Sequence, residues 1–491
     1  MTLSTSTRKP GVYLDENVSN AIQGLFTTED NVCIIAQKLS TGTADSTTAV
    51  KCFSDADAAL YLGAGSVAHL AVRAAFEQNP SVSGYTVLGV DDAGGAVKAQ
   101  GQVDLGGLTG LGGKNGTLKI YIGDEMISAN YTTTSTPDSV VADLVTDSSS
   151  ISNILPVVVT GSTSTLAFEA KNAGRVGNMI PIKAVDTDNG TSYVVVTAMT
   201  SGAGDPDVGN YGSAGSSLSY VVGGKYTVFV NAIPNNISDH DSMTKIQTMV
   251  THLSGQVEQA PCIQVLASTD LLDTYSDVKL LCNTHSNAGR ATCAYLSYAG
   301  TNGPATEYYK VAAAYAADLV AQSDPALPYN GDVLVPVAPP SIVDRLTRTV
   351  QEDCLHSGVT PLEVIPGEQV AIVKAITTYV YNGSGNPDAT LLNVNTYRVL
   401  DYVRAQVKAR LEARFRKSKI TTRILKSIVS EITDVLYLIQ VLEIVKDVDT
   451  YKAGITAVIN SSNPSRVDVE IPTPIVSALD IIAGELKLII G

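Results

Sequence analysis

Five histidines and six cysteines are the side chains in this sequence best suited to ligate a metal or act as nucleophiles, and their spacing favours neither role. His69, His240, His252, His285 and His356 contain no pair four residues apart and no H-E-x-x-H, the pattern that turns two imidazoles of one helix toward zinc. His240 lies between Asp239 and Asp241, an acidic stretch able to hold a cation weakly. Nothing adjacent completes a ligand set, and a surface turn explains the same residues. Cys33, Cys52, Cys262, Cys282, Cys293 and Cys354 show no C-x-x-C spacing, so they read as reduced, mostly buried thiols. Cys282 and His285 could act together only through an arrangement the sequence does not reveal, and there is no G-x-S-x-G elbow.

Two glycine-rich stretches invite a phosphate. Gly63-Ala64-Gly65-Ser66-Val67-Ala68 fits G-x-G-x-x-A, yet a dinucleotide loop follows a strand, and Leu60-Tyr61-Leu62 ends a helical run. A helix break that lets two elements pack closely is the better reading. Gly113-Lys114-Asn115, within Gly106 to Gly116, lacks the Lys-Ser/Thr pair that reaches phosphate and magnesium. No catalytic residue, cofactor site or metal site is therefore expected, and the chain reads as a non-enzyme.

The elements that must position these residues follow from pattern. A length of 491 residues implies about three domains. Only 16% of residues are charged, which hints that other chains cover part of the surface. There is no secretory h-region and no run of about 18 apolar residues, so neither a signal peptide nor a membrane span is expected. The net charge of −15 argues against nucleic-acid binding. Its distribution is uneven, because Tyr397 to Lys426 holds ten Lys/Arg against two acids, a local +8 that leaves −23 elsewhere.

Along the chain, residues 1–20 read as an arm containing Pro10-Gly11 and the strand-like run Val12-Tyr13-Leu14. Val32 to Ala36 suits a buried strand, Ser54 or Asp55 caps a helix reaching Gln78, and Tyr85 to Val90 is a strand. Residues 91–218 turn to Gly, Thr, Ser and short alternating runs, a β-rich insertion; residues 219–329 alternate strand and helix, a second α/β insertion. After a proline-punctuated linker come a strand over Val370 to Tyr381, a helix over Thr396 to Arg416 and a second amphipathic helix through Leu425, Ile428, Ile432, Val435, Ile439 and Leu442. The first of these helices carries Leu400, Val403, Val407, Leu411 and Phe415 on one face and basic residues on the other. Arg466 to Ile471 alternates as a strand, and Glu485 to Ile490 ends the chain as an apolar one.

Several segments, in order, resemble the contractile tail sheath proteins of Mu-like phages. These are Pro10-Gly11-Val12-Tyr13, Phe53-Ser54-Asp55-Ala56-Asp57 through Ser66, Ala170-Lys171-Asn172-Ala173-Gly174-Arg175-Val176-Gly177-Asn178, Thr377-Thr378-Tyr379, Asn386-Pro387-Asp388 and Arg398 to Arg404. The sequence departs from the family after Phe415, where Arg416-Lys417-Ser418-Lys419 leads directly into the next helix without a longer loop.

The resemblance implies an α/β multidomain protein whose discontinuous α+β core (21–90 plus 330–491) is built from both chain ends, with the two insertions facing outward. It implies a helical homo-oligomer wound around a tail tube, meeting baseplate and tail terminator proteins. The sheath would shorten from an extended to a contracted lattice and drive the tube into a host envelope, as part of a virion assembled in a bacterial cytoplasm. Neither nucleic acid nor membrane is an expected partner. Isolated terminal strands need a sheet edge to complete, so Val12, Tyr13, Leu14, Leu486, Leu488 and Ile490 are the candidate interchain arms. Arg404, Lys408, Arg410, Arg414 and Lys417 are the candidate tube-facing residues. An oligomeric surface or adhesion protein and a sheath of a bacteriocin or secretion apparatus are the competing readings.

Overall fold

The computed structural model describes residues 30–489, together with residue 25 but without 112, 222–225 and 270–273. The candidate arm residues Val12, Tyr13, Leu14 and Ile490 lie outside the described residues.

The chain begins with Val32–Gln37 (β1), buried at all six positions, and then Val50–Cys52 (β2), helices Asp55–Leu62 (α1) and Val67–Gln78 (α2), and Tyr85–Val90 (β3). Ser54 caps α1 by accepting from the Asp57 amide, and Ser66 caps α2 by accepting from that of His69. Between residues 98 and 200 come Lys98–Asp104 (β4), Gly116–Ile122 (β5), Glu125–Tyr131 (β6), helix Pro137–Ser150 (α3), Val157–Ser162 (β7), Thr165–Ala173 (β8), Ile182–Val185 (β9) and Val195–Thr200 (β10). The glycine-rich stretch 106–111 is a 3-10 turn among them. Two antiparallel sheets result, ordered β10-β4-β8-β7 and β6-β5-β9, sharing an apolar core that includes Val103, Leu118, Ile120, Leu144 and Phe168.

The next elements are Val228–Asn231 (β11), Asp241–Leu253 (α4), Ile263–Thr269 (β12), Tyr275–Leu280 (α5), Ala291–Leu296 (β13), Tyr308–Ala321 (α6), Arg348–His356 (α7), Thr360–Ile365 (β14) and Gln369–Ile372 (β15). Residues 219–329, expected as an insertion of their own, supply β11, β12 and β13 to the same sheet as β1. The order is β15-β14-β13-β12-β11-β1-β3-β2, parallel from β14 through β3 and closed by one antiparallel strand at each edge. The physical reason is burial on both faces. In β1, Val32, Ile34 and Ala36 face the core built with α2 and α6, whereas Cys33 and Ile35 face the one containing Ile246 and Val250 of α4. A strand so covered must be interior, and β11, with its own fully buried run, is the neighbour on one side. Alanines at 68, 71 and 75 of α2 and at 312, 313, 316 and 317 of α6 belong to the same buried cluster on one face of the sheet.

The strand expected over Val370 to Tyr381 stops at Ile372, because Thr377 and Thr378 turn their hydroxyls to the carbonyls of Leu391 and Ala288. Residues 477–489 form no strand, and Leu486 and Leu488 are fully exposed. Among the described residues no strand pairs with this segment, and an unpaired strand is not stable alone. Its root is nevertheless held, since Asp480 accepts from Lys374 Nζ at 2.7 Å and from Asn330 Nδ2 at 3.0 Å.

Helix Val394–Phe415 (α8) follows, and Leu400–Val476 constitutes a compact unit of its own. It continues with Thr422–Val441 (α9), Val448–Tyr451 (α10) and the hairpin Thr456–Ile459 (β16) and Val467–Glu470 (β17). Val403 and Val407 of α8 are buried, as are Ile428, Ile432, Val435 and Ile439 of α9, whereas Leu400 and Leu442 are partly exposed. The register of each amphipathic helix is thus the expected one over its middle turns.

Replacing Ile34 by Ala removes a fully buried side chain from the centre of the main sheet and should cost about 2–5 kcal/mol. A urea titration read by far-UV circular dichroism would show the shift in the main transition.

Candidate functional site

In a doubly wound sheet, ligands enter where strand order reverses, at the carboxyl ends of the diverging strands. Here that point lies between β1 and β11, and the chain itself fills it. The returning end of β8 lies across the crevice, tied down by side chains from both directions. Asn172 Nδ2 donates to the Lys38 carbonyl and to Asp92 Oδ1, both at 3.0 Å, and its Oδ1 accepts the Val67 amide at 3.1 Å. Gln37 Nε2 donates to Asp92 Oδ1 at 2.9 Å and to the Ala173 carbonyl at 2.7 Å, while the Ala173 amide donates to Asp92 Oδ2 at 2.8 Å. The first amide of α2, the group a phosphate would use, is thereby satisfied by a protein side chain.

The G-x-G-x-x-A stretch is the break between α1 and α2 that its preceding helix suggests. Gly65 adopts φ +77°, and a Cβ there would fall 2.3 Å from the Leu155 carbonyl oxygen. Its amide donates to His69 Nδ1 at 2.9 Å, and His69 Nε2 lies 3.0 Å from Asp55 Oδ1. Burial lowers the His69 pKa, with the Asp55 carboxylate opposing, so this histidine is a neutral bridge within the core.

A second junction fastens the turn between β5 and β6 to α6. Lys310 Nζ is 2.5 Å from Asp124 Oδ1 and 3.0 Å from Glu307 Oε2, with Lys310 and Glu307 buried. Gly123 has φ +67°, and a Cβ on it would sit 2.2 Å from Glu307 Oε1. Arg73 of α2 reaches Glu125 at 3.3 Å on the same turn. Two carboxylates around one ammonium leave excess negative charge in a dry place. Burial pushes the Glu307 carboxyl up to about 7, Lys310 opposes this, and Asp124 adds to it.

The remaining candidates do not assemble into a site. All six cysteines are buried and free. Burial raises the Cys33 thiol far above its ordinary range, so it is not a nucleophile. His240 and His285 stack with ring centroids 4.1 Å apart, and among the described residues no group of three ligating side chains could hold a metal. No helix of the described residues is long and apolar enough to cross a membrane.

The basic segment divides. Arg404 and Lys408 are half-buried, Arg410 is buried with its guanidinium 4.0 Å from Glu431, and Arg414 pairs with the other Glu431 oxygen at 2.5 Å. Lys417 is exposed, together with Arg416, Lys419, Arg423 and Lys426 around the short α8–α9 connection. The structure therefore spends two of the five candidate cations on packing α8 against α9, and of the other three Lys417 is the one exposed at the corner.

No family model matches the chain. It is 26% identical over 508 aligned positions, covering 99% of both chains, to the Mu-like prophage FluMu tail sheath protein of Haemophilus influenzae. The chain is a Mu-like tail sheath homologue. Two solved structures share its fold: the sheath tail protein from Desulfitobacterium hafniense (12% identical, TM-score 0.50, 96% of this chain and 97% of that one) and a chain of the anti-feeding prophage baseplate (9% identical, TM-score 0.50, 99% and 100%). The chain thus matches a tail sheath protein from end to end and shares the fold of a second one. Sequence reasoning singled out the Ala170–Asn178 stretch without its role, which is to close the sheet's crevice. It missed Glu307–Lys310 altogether, although two charges three residues apart at the start of the apolar run Tyr308–Ala321 were the available signal.

The Glu307 carboxyl titrates above its ordinary 4.5 in the folded chain. Between those values the native state binds the extra proton, so stability falls as pH rises from about 4.5 through 7 and is flat beyond. Glu307→Gln should abolish that portion of the pH dependence and be more stable than the parent above pH 7, on the order of 1–3 kcal/mol. Thermal melts from pH 5 to 8 would measure it.

Proposed function

We propose that this sheath subunit winds helically around a tail tube, exchanges terminal strands with neighbouring copies, and shortens from an extended to a contracted lattice that drives the tube through a host envelope. The carrying observation is the end-to-end match to a tail sheath protein, which leaves no segment of either chain unaccounted for. The shared fold with a chain of the anti-feeding prophage baseplate supports contact with a baseplate, and a tube and a tail terminator complete the set of partners.

What supports strand exchange is unfinished structure at both donor and acceptor. Leu479, Ile481, Ile482, Leu486, Leu488 and Ile489 are exposed in a segment that has no partner strand among the described residues. Among the described residues the β16–β17 hairpin is two strands wide, with Val458 and Ile459 about half exposed, and an isolated hairpin is marginal in water. A strand added from another copy would complete it. Backbone bonds at ~0.5–1.5 kcal/mol each barely offset ordering costs of ~1–2 kcal/mol per residue. Covered aliphatic side chains, at roughly 1.5–3 kcal/mol apiece, decide the balance. With no nucleotide site at the crevice, contraction runs downhill from a kinetically trapped lattice.

Negative-stain electron microscopy of the concentrated protein, alone and with its tube protein, should show regular hollow tubes; monomers under both conditions would refute the reading. Deleting residues 1–16 or 482–491 should abolish tubes while the monomer keeps its melting temperature. Tubes of normal length from either deletion would show that the arms are not exchanged. Charge reversal at Arg404 and Lys408 should weaken tube-templated assembly in a salt-dependent manner, because pairs formed at a partly exposed surface are screened by salt. Unchanged assembly at low salt would assign the tube contact elsewhere.

A further inference from the structure

The sheet β10-β4-β8-β7 has two open edges of an unusual kind. Proteins protect exposed edge strands with charge, proline, shortness or a covering element. The edges of the other sheets in the larger unit carry such protection. In the main sheet, β2 is three residues long and contains Lys51, and β15 is covered by the Val333 bridge to Ala371 and the Leu334 amide bonded to Val370. In the three-stranded sheet, β6 is shielded where Asp147 of α3 takes the Ser128 amide, and β9 is four residues long with Lys183.

Strands β7 (VVVTGS) and β10 (VVTAMT) lack most of this protection, although β10 has a register shift between Thr197 and Thr200 and Val141 and Val145 of α3 pack on β7 at Gly161. Each is six residues long, without a charge or a proline, and each pairs on one side only among the described residues. Val158 of β7 is 47% exposed and Val195 of β10 is 63% exposed. In β10 four successive residues, 195–198, are exposed, and Met199 is its one buried side chain.

The two edges also match one another. All three pairings within the sheet are antiparallel, so β10 and β7 run in opposite directions at its two ends. Placing β7 of one copy beside β10 of the next continues the alternation with an antiparallel pair of equal strand length. That contact is head to tail, with different surfaces on the two sides, and such contacts propagate into rings or helices instead of closing as dimers. We propose that β7 and β10 form a heterologous interface between copies of this chain, joining their four-stranded sheets edge to edge. The proposal rests on the sheath reading, which supplies many copies in a repeating lattice, and it adds a contact separate from the terminal arms.

The test uses the full-length chain, whose native cysteines are all buried and so leave little background for thiol reagents. A Val158→Cys/Val195→Cys variant is assembled, checked for tubes by electron microscopy, and treated with a short bis-maleimide. The expected result is a ladder of covalent oligomers from the double variant and only monomer from either single variant. Intact tubes without a ladder would overturn the interface, and dimers from one single variant would overturn its head-to-tail character. Independently, Val195→Lys should reduce pelletable tubes by about tenfold or more with an unchanged melting temperature; undiminished tubes would also overturn it. Absence of tubes from the unmodified chain, with tube protein present, instead refutes the sheath reading itself.

Discussion

Asp92 stands where the chain leaves β3 for the small sheets, and its carboxylate gathers three donors: the Gln37 and Asn172 side-chain amides and the Ala173 backbone amide. Through these bonds the end of the central strand and the end of β8 become one rigid junction. Hydrogen bonds to an ionised acceptor are the stronger kind, and in a crevice away from water each donor left unpaired would be costly. Most other features of the larger unit follow from that closure. The crevice that a parallel sheet ordinarily offers to a ligand is sealed, the first amide of α2 is used up, and the sheet serves as a block instead of a binding platform.

The second fastening, Lys310 among Asp124 and Glu307, serves the same end by a riskier route. A buried ion cluster gains specificity of position at the cost of desolvation. Here the excess carboxylate is relieved by a proton, since burial lifts Glu307 to about 7. The β5–β6 turn thus has one permitted seat on α6, enforced by Gly123, where any side chain would collide with the glutamate. A subunit of a contracting lattice has to transmit force without deforming internally, and two such clamps between the small sheets and the main one suit that demand.

Assembly surfaces follow the opposite logic. Where the core is over-determined, the proposed contacts between copies are under-determined among the described residues: a two-stranded hairpin, an apolar terminal segment without a partner strand, and a sheet with two unpaired edges. Each would be a liability in a solitary protein. In the proposed sheath they would be the sites that another copy completes.

How much of this was legible beforehand depends on whether the cause is local. Helix caps at Ser54 and Ser66, the apolar registers of α8 and α9, and the buried run of β1 follow from composition and period, because they depend on residues a few positions apart. The helix break at Gly63–Ala68 was legible too, from the helical run that precedes it. The order of the segments, Pro10–Tyr13 through Arg398–Arg404, was enough to name the family. What local pattern does not carry is which strands share a sheet. Residues 219–329 look like a domain of their own until β11 is seen beside β1, 196 residues away, in a parallel register. Likewise, the basic face of α8 reads as one uniform patch, and only the tertiary placement of Glu431 divides it into packed and displayed charges. Parallel pairing and buried ion pairs join residues distant in sequence, and a periodicity confined to one segment contains no information about its partner.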